Sequence, residues 1–369
     1  MWIVIIREKH QMNTSRQAVE VLVFFAPRDL DHLALNRALR ERMPRTRLVG
    51  ASTGRQIDVD GQHEHSIVGA ALTGDFDVGI GFARRLAMDP LRGGAAAMLG
   101  ACDDLGVAPA DLTKRHVGMV IPDGYVGRNE ELLLGMLEPN PGLVLVGGGA
   151  SDARVDRPSA LLHVDGEVMD NAALLVLFQT DARWAAMRSH WYRPTGRRVT
   201  ITKVDTTCLR AIAIDGLPAA RRYADLLGVD VADLGWDHPA GFGTWPTAIA
   251  VGREYVMRAP WKALDDGSVL FANLIEEGME LEIMHAGDLA GMTRRFLSEE
   301  MPARVGPPTA ALFFTCAGRR WYSDSCGRTD EVSQSFAAAK WAVGMESFFE
   351  IFCSFNLNTT LSALVFGKS

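Results

Sequence analysis

The sequence predicts a mixed α/β chain of the α+β class, with two domains built on mixed, largely antiparallel sheets flanked by helices. Three observations predict it. Short apolar runs at 21–26, 143–146 and 174–178 have the length and composition of buried strands. Segments with helical spacing and capping residues alternate with such runs through the first half. Hairpin-like pairs of runs interrupt the alternation, which favours mixed sheets over one parallel doubly wound sheet.

The elements follow in order. Residues up to about 16 read as a leader outside the fold. The expected division is therefore a leader over 1–19, a first domain over 20–210 and a second over 211–369, with the boundary near 205–217. Residues 21–26 form the first strand. Asp29 is placed to cap a helix carrying Leu30, Leu33, Ala34 and Ala38 on one face. A strand follows at 48–50, and another at 57–59 before the turn Asp60-Gly61. Residues 66–72 and 75–82 read as a strand pair about Thr73-Gly74, the second alternating cleanly at Phe76, Val78, Ile80 and Phe82.

Asp89-Pro90 starts a helix that runs to about 105, where Gly106 can end it. A strand at 116–121 leads into Pro122-Asp123-Gly124, and a helix covers 130–137. The strand at 143–146 ends in Gly147, Gly148 and Gly149. Further strands are expected at 174–178, 199–204 and 209–214, then a turn at 215–218 and a short helix at 219–227 closed by Gly228. A last long helix is expected at 329–343 and a closing strand at 361–366.

The chain of 369 residues is 48% hydrophobic and 22% charged, enough apolar side chain for a sizeable core. A net charge of −7 argues against a protein built to hold nucleic acid. No apolar run approaches the length of a membrane span, so no membrane insertion is expected. The five cysteines are scattered, odd in number and without zinc-site spacing, a pattern that suits a reducing cytoplasm.

Two stretches stand out. Leu48-Val49-Gly50-Ala51-Ser52-Thr53-Gly54 and the run from Ala310 to Arg319 are both apolar and stop abruptly in small residues. Such ends let a ligand approach backbone N–H groups closely. Ser52 and Thr53 belong to the first, Cys316 and Arg319 to the second. Cys316 reads either as small core packing or as a nucleophile activated by Arg319. Gly148 lies in a second candidate ligand loop, with a plain turn as the rival reading. Arg193, held extended beside Pro194, suits bidentate contact to a carboxylate, with a structural salt bridge as the rival reading.

No Walker-type phosphate loop and no Gly-x-Ser-x-Gly elbow occur. No catalytic residue is assigned, although an enzyme using Cys316 or Ser52 stays as an alternative. His63 and His65 flank Glu64 but lack an evident third metal ligand. The carboxylates Glu276, Glu277, Glu280 and Glu282 read as a solvated face.

Taken together and in this order, these pieces resemble the FIST family of sensory modules, over roughly residues 20–366. The N-terminal half is matched by Val49-Gly50-Ala51-Ser52-Thr53, Ser66-Ile67-Val68, Asp123-Gly124 and Val146-Gly147-Gly148-Gly149-Ala150-Ser151-Asp152. Arg193-Pro194-Thr195-Gly196 looks like the family's junction. The C-terminal half is matched by 312–319, by Phe349-Glu350-Ile351 and by Asn358-Thr359-Thr360-Leu361. Two positions depart from the family pattern. Arg55-Gln56-Ile57 and Phe349-Glu350-Ile351 stand where relatives carry Gly-Glu-Ile.

The resemblance implies signal input rather than catalysis. A small molecule would bind between the two halves and the signal would pass to a separate protein, such as a histidine kinase or a cyclic-dinucleotide enzyme. The implied lining is Ser52, Thr53, Asp123, Gly148, Arg193, Cys316, Arg319, Glu350 and Asn358. The cofactor is unknown. A haem-binding, nitric-oxide-sensing branch of the family supplies an alternative with haem b, for which His190, His238 and His285 are the axial candidates.

Overall fold

The computed structural model describes residues 2–7, 19–154 and 158–368. Its main body repeats one pattern three times. The first unit contains β1 (Trp2–Arg7), β2 (Val21–Pro27), helix α1 (His32–Arg42), β3 (Arg47–Thr53), the hairpin β4 (Gln56–Asp58) and β5 (Gly61–His63), and β6 (Val68–Thr73). The second contains β7 (Phe76–Arg84), α2 (Pro90–Leu105), β8 (His116–Pro122), α3 (Asn129–Leu137), β9 (Leu145–Gly148), the hairpin β10 (Leu162–Val164) and β11 (Glu167–Met169), and β12 (Ala172–Thr180).

The third unit begins with β13 (Trp184–Ser189) and is interrupted by an inserted body. That body holds β14 (Tyr192–Val204), β15 (Arg210–Ile214), β16 (Leu217–Pro218), α4 (Ala219–Leu227), β17 (Thr247–Val251), β18 (Glu254–Arg258), β19 (Pro260–Ala263), β20 (Val269–Phe271) and β21 (Glu280–Ala286). The unit resumes through α5 (Leu289–Arg295) and α6 (Met301–Val305). It ends with β22 (Pro308–Cys316), α7 (Ala317–Ser325), α8 (Thr329–Ser335), β23 (Ala342–Ser347), the hairpin β24 (Glu350–Phe352) and β25 (Phe355–Leu357), and β26 (Leu361–Gly367).

Each unit makes the same four-stranded ladder. Its opening strand pairs antiparallel with its closing strand, which pairs antiparallel with the first of two parallel strands. The parallel pairs are β2 with β3, β8 with β9 and β22 with β23. The sheet is then completed by a hairpin from a different unit. The first unit's hairpin extends the third sheet, the second unit's extends the first, and the third unit's extends the second. This cyclic exchange ties the ends of the chain into one body. A single apolar cluster takes Val21 and Val49, Val117 and Val146, and Leu312 and Val343 from the three sheets together.

The inserted body has its own sheet of eight strands and its own core, centred on Trp191, Tyr223, Phe242, Met257 and Ile283. Cores therefore do not follow the expected division at 210/211. That division cuts β15 after Arg210 and parts it from β14, with which it pairs antiparallel, Ile201 opposite Ile214. Trp2–Arg7 was expected to lie outside the fold as part of the leader; its backbone pairs with Val68–Thr73 as an edge strand. Residues 8–18 of that leader are outside the described residues.

Several elements differ from the sequence expectation. Asp31, not Asp29, caps α1, its carboxylate accepting from the Ala34 N–H at 2.9 Å. The two-residue shift rotates the buried stripe, so Leu30 and Leu33 are exposed while His32 and Asn36 are buried. The segments 66–72 and 75–82 are strands but not partners, because β6 and β7 join different sheets. The long helix at 329–343 stops at Ser335. Phe336 turns into the core and the chain extends again as β23 beside β22. Glu282 is not on a solvated face: it is buried on β21, where its carboxylate accepts the Gly196 N–H.

Candidate functional site

A cleft of about 950 Å³ opens between the three-unit body and the inserted body. Two equivalent strand-to-helix junctions deliver its floor. At the end of β8 the chain turns through Gly124 and Tyr125 into α3. At the end of β22 it turns through Cys316 and Gly318 into α7. The opposite wall comes from β19, β20 and the 272–274 segment of the inserted body.

Glycine is required at the first junction. A Cβ on Gly124 would stand 2.5 Å from the Ala150 carbonyl oxygen, closer than such atoms approach. Asp123, just before it, is buried. Its two carboxylate oxygens accept the N–H groups of Tyr125 and Asn171, both at 3.0 Å. Burial nevertheless holds its carboxyl above the usual range. Asp123 thus shapes the junction rather than facing the cleft.

The apolar side of the cleft is aromatic. Tyr125 and Phe348 have ring centroids 4.8 Å apart, Phe348 and Trp261 6.1 Å, and Trp261 and Trp321 4.8 Å. Trp236 continues the row at 6.0 Å from Trp321, its indole N–H donating to the Pro260 carbonyl. Composition marked none of these rings as a group. They come from five separate segments, and only the tertiary fold aligns them.

The polar side is a chain of amides. The Asn273 amide donates to the Asn356 carbonyl at 3.5 Å, and the Asn356 amide donates to Glu130 Oε1 at 3.0 Å. The side-chain carbonyl oxygens of Asn273, Asn356 and Asn358 are buried without a hydrogen-bond partner. Buried polar groups are nearly always hydrogen-bonded, so these oxygens mark the polar side of the cleft. Of these three, only Asn358 was expected from the sequence. The other two lie in segments without a motif.

The expected lining residues fall into three groups. Cys316 and Asn358 line the cleft. Glu350 and Arg319 lie just beneath its floor, both buried, within electrostatic reach of each other and of Cys316. Glu350 accepts from the Ser347 hydroxyl at 2.8 Å and from the Thr360 N–H and hydroxyl at 3.0 and 2.9 Å. These donors favour the anion, but burial outweighs them and lifts its carboxyl to about 8. Arg319 is lowered to about 10 by burial. It donates to the Thr293 hydroxyl at 2.6 Å and stacks over Trp191 at 5.3 Å.

The remaining expected residues are elsewhere. Ser52 and Thr53 are buried where the three units meet. The Ser52 hydroxyl donates to the Ser151 carbonyl and accepts the Leu161 N–H, and the Thr53 hydroxyl bonds the Glu346 carbonyl at 2.7 Å. Gly148 stands opposite Glu350 in the ladder between β9 and β24 and is packed against Ser347. The structure places these three away from the cleft, with their polar groups engaged across the exchanged hairpins. Arg193 is exposed on β14 and lines a separate surface groove with His190 and Asp288. Arg55, which opens one departure from the family pattern, pairs with Glu64 at 2.7 Å.

The nucleophile reading of Cys316 also meets a difficulty. Burial and the neighbouring Glu350 raise its thiol well above the ordinary value, the reverse of activation by Arg319. The haem candidates fare no better. His190 accepts the Tyr192 N–H and sits in the Arg193 groove, His238 lies 3.8 Å from Asp233, and His285 is stacked on Trp245 at 4.1 Å. None lines the cleft, so these residues do not fit an axial ligand there. Among the described residues no cluster of three or more His, Cys, Asp or Glu is placed to hold a metal ion. No helix among them is long and apolar enough to cross a membrane.

Two family models match the chain. One, described as the FIST N domain, covers residues 20–216, and the other, the FIST C domain, covers 219–353. No curated protein matches. Among solved structures, a cyanuric acid hydrolase from A. caulinodans aligns over 95% of this chain and 91% of its own, at 9% identity and a TM-score of 0.33. A second cyanuric acid hydrolase structure aligns over the same shares at 9% identity and a TM-score of 0.34.

Proposed function

The chain belongs to the FIST family, and from that premise we propose that it senses a small molecule held in the cleft between its two bodies. FIST domains are sensory domains of signal transduction. The observation that carries the ligand reading is a cleft lined by four asparagines, Asn129, Asn273, Asn356 and Asn358, whose side-chain carbonyls have no donor, beside a continuous aromatic wall. A mostly apolar concavity with a few convergent polar groups is the usual form of a small-molecule site. The signal arises if the ligand favours one relative arrangement of the two bodies. It passes to a separate partner protein, such as a histidine kinase or a cyclic-dinucleotide enzyme.

Catalysis is not part of this reading. The Ser52 hydroxyl is consumed by backbone groups and the Cys316 thiol is held protonated.

Native mass spectrometry of the full chain purified from cells tests the proposal. The expected spectrum contains a bound small molecule that denaturation releases. Gly318→Leu should abolish it, because a side chain there points at Trp236 and Thr359 across the cleft. Circular dichroism confirms that the variant folds. A wild-type spectrum without added mass, or a bound mass retained in the folded variant, overturns the reading.

A further inference from the structure

The polar pole of the cleft is weighted toward hydrogen-bond acceptors. Asn356 donates its amide N–H to a carboxylate, which cannot donate in return when ionised. That contact fixes the amide's orientation, so the unpartnered atom is the carbonyl oxygen. The same logic holds for Asn273, whose N–H group meets a main-chain carbonyl. Asn273 and Asn356 are 1% and 6% exposed, and both residues line the cleft. With the Glu130 carboxylate they form a cluster weighted toward acceptors, since one N–H of each amide is already engaged.

The charges agree. Among the described lining residues the charged ones are Arg128, Glu130 and Glu131. Arg128 is taken up by Glu131, its Nε 2.6 Å from Oε1. Arg258 acts on Glu130 through space, but its guanidinium donates to the Met257 carbonyl and it does not line the cleft. Arg319, beneath the floor, is held by Thr293 and Trp191. Arg193, the expected anchor for a carboxylate, opens onto another groove. The cleft therefore offers a cluster of acceptors and no free guanidinium among these residues. Its Trp261, Trp321 and Phe348 rings present π faces, which attract cations as well as flat apolar groups.

We propose that the cleft selects an amine. The N–H donors of a small aromatic or alkyl amine meet Asn273, Asn356 and Glu130, its body lies on the tryptophan wall, and it carries no carboxylate. This inference rests on the cleft being the ligand site.

Isothermal titration of the full chain with tryptamine, L-tryptophan and indole-3-acetate separates the two ideas. Tryptamine should bind, L-tryptophan more weakly, and indole-3-acetate least. Glu130→Gln and Asn356→Leu should each weaken tryptamine by about tenfold or more, because each removes a buried or charge-assisted acceptor. Arg193→Ala should leave it unchanged. Glu130 is partly exposed, so its variant tests the contact even if Asn356→Leu fails to fold.

Indole-3-acetate binding as tightly as tryptamine overturns the amine assignment while leaving the cleft as a ligand site. Absence of heat from tryptamine, or a folded Glu130→Gln protein that binds it undiminished, also overturns the assignment. The co-purified mass judges the cleft itself independently.

Discussion

Two buried ionisable residues under the cleft floor show how burial overrides sequence context. Glu350 was singled out for its place in a family motif and Arg319 for its charge beside a cysteine. Neither motif says that burial sets their protonation. The Glu350 carboxyl, raised to about 8 from an ordinary 4.5, holds a proton in the fold that the unfolded chain releases. Its contribution to stability is thus greatest below about pH 4.5 and declines as pH rises toward 8. Over pH 5–8, Glu350→Gln should flatten the pH dependence of the denaturation midpoint. A variant whose midpoint tracks the wild type's slope through that window would remove Glu350 as its source.

Cys316 gives a second residue-scale expectation. Its thiol is buried and raised, whereas Cys326 is exposed. Iodoacetamide at neutral pH should label Cys326 in the native protein and leave Cys316 unlabelled until denaturant is added. Peptide mapping reads the outcome directly.

At the scale of elements, close backbone approach decides where helices sit. Gly79 and Gly81 lie on β7 beneath α2, and a Cβ at either position would stand 2.0 Å or less from a carbonyl oxygen of that helix. The glycines are visible in the sequence, set between the alternating apolar residues of that strand. Their role required knowing which helix lies over them. Gly81→Ala should lift α2 off the sheet and cost about 1–3 kcal/mol, measurable by denaturant unfolding.

The strands themselves were legible because alternation and apolar runs report burial directly. The caps at Asp89 and Gly106 were legible for a similar reason, since capping is local. The α1 cap was misplaced by two residues because Asp29 and Asp31 are chemically equivalent. Only the stripe formed by His32 and Asn36 against the sheet chooses between them. The 329–343 segment misled because Phe336, Ala339 and Val343 have helical spacing, yet the core draws Phe336 inward and pairs Val343 in β23.

At the scale of the whole molecule, Arg319 joins the two bodies. It belongs to α7 of the three-unit body, while Trp191 opens the core of the inserted one. Arg319→Ala would remove the stacking and the Thr293 bond and leave a buried cavity, lowering the unfolding free energy by about 2–4 kcal/mol. Thermal unfolding should show an earlier loss of the inserted body. Simultaneous unfolding with an unchanged midpoint would show that this contact does not couple the bodies.

The cleft was half legible. Cys316 and Asn358 were found because they sit at motif-bearing strand ends. Asn273, Asn356, Trp261 and Trp321 were not, since nothing local distinguishes a pocket-facing asparagine or tryptophan from a packed one.

By itself the sequence determined the fold class, most strand positions, several helix boundaries and the family, because these depend on local periodicity, capping and ordered motifs. The tertiary structure alone decided which strands share a sheet, how three hairpins are exchanged between units, and which marked residues face a cavity. The physical reason is range. Ser52 with Ser151, and Gly148 with Glu350, satisfy each other's surroundings across 99 and 202 residues of chain. No local pattern records which of two polar groups is spent in that way and which is left open for a ligand.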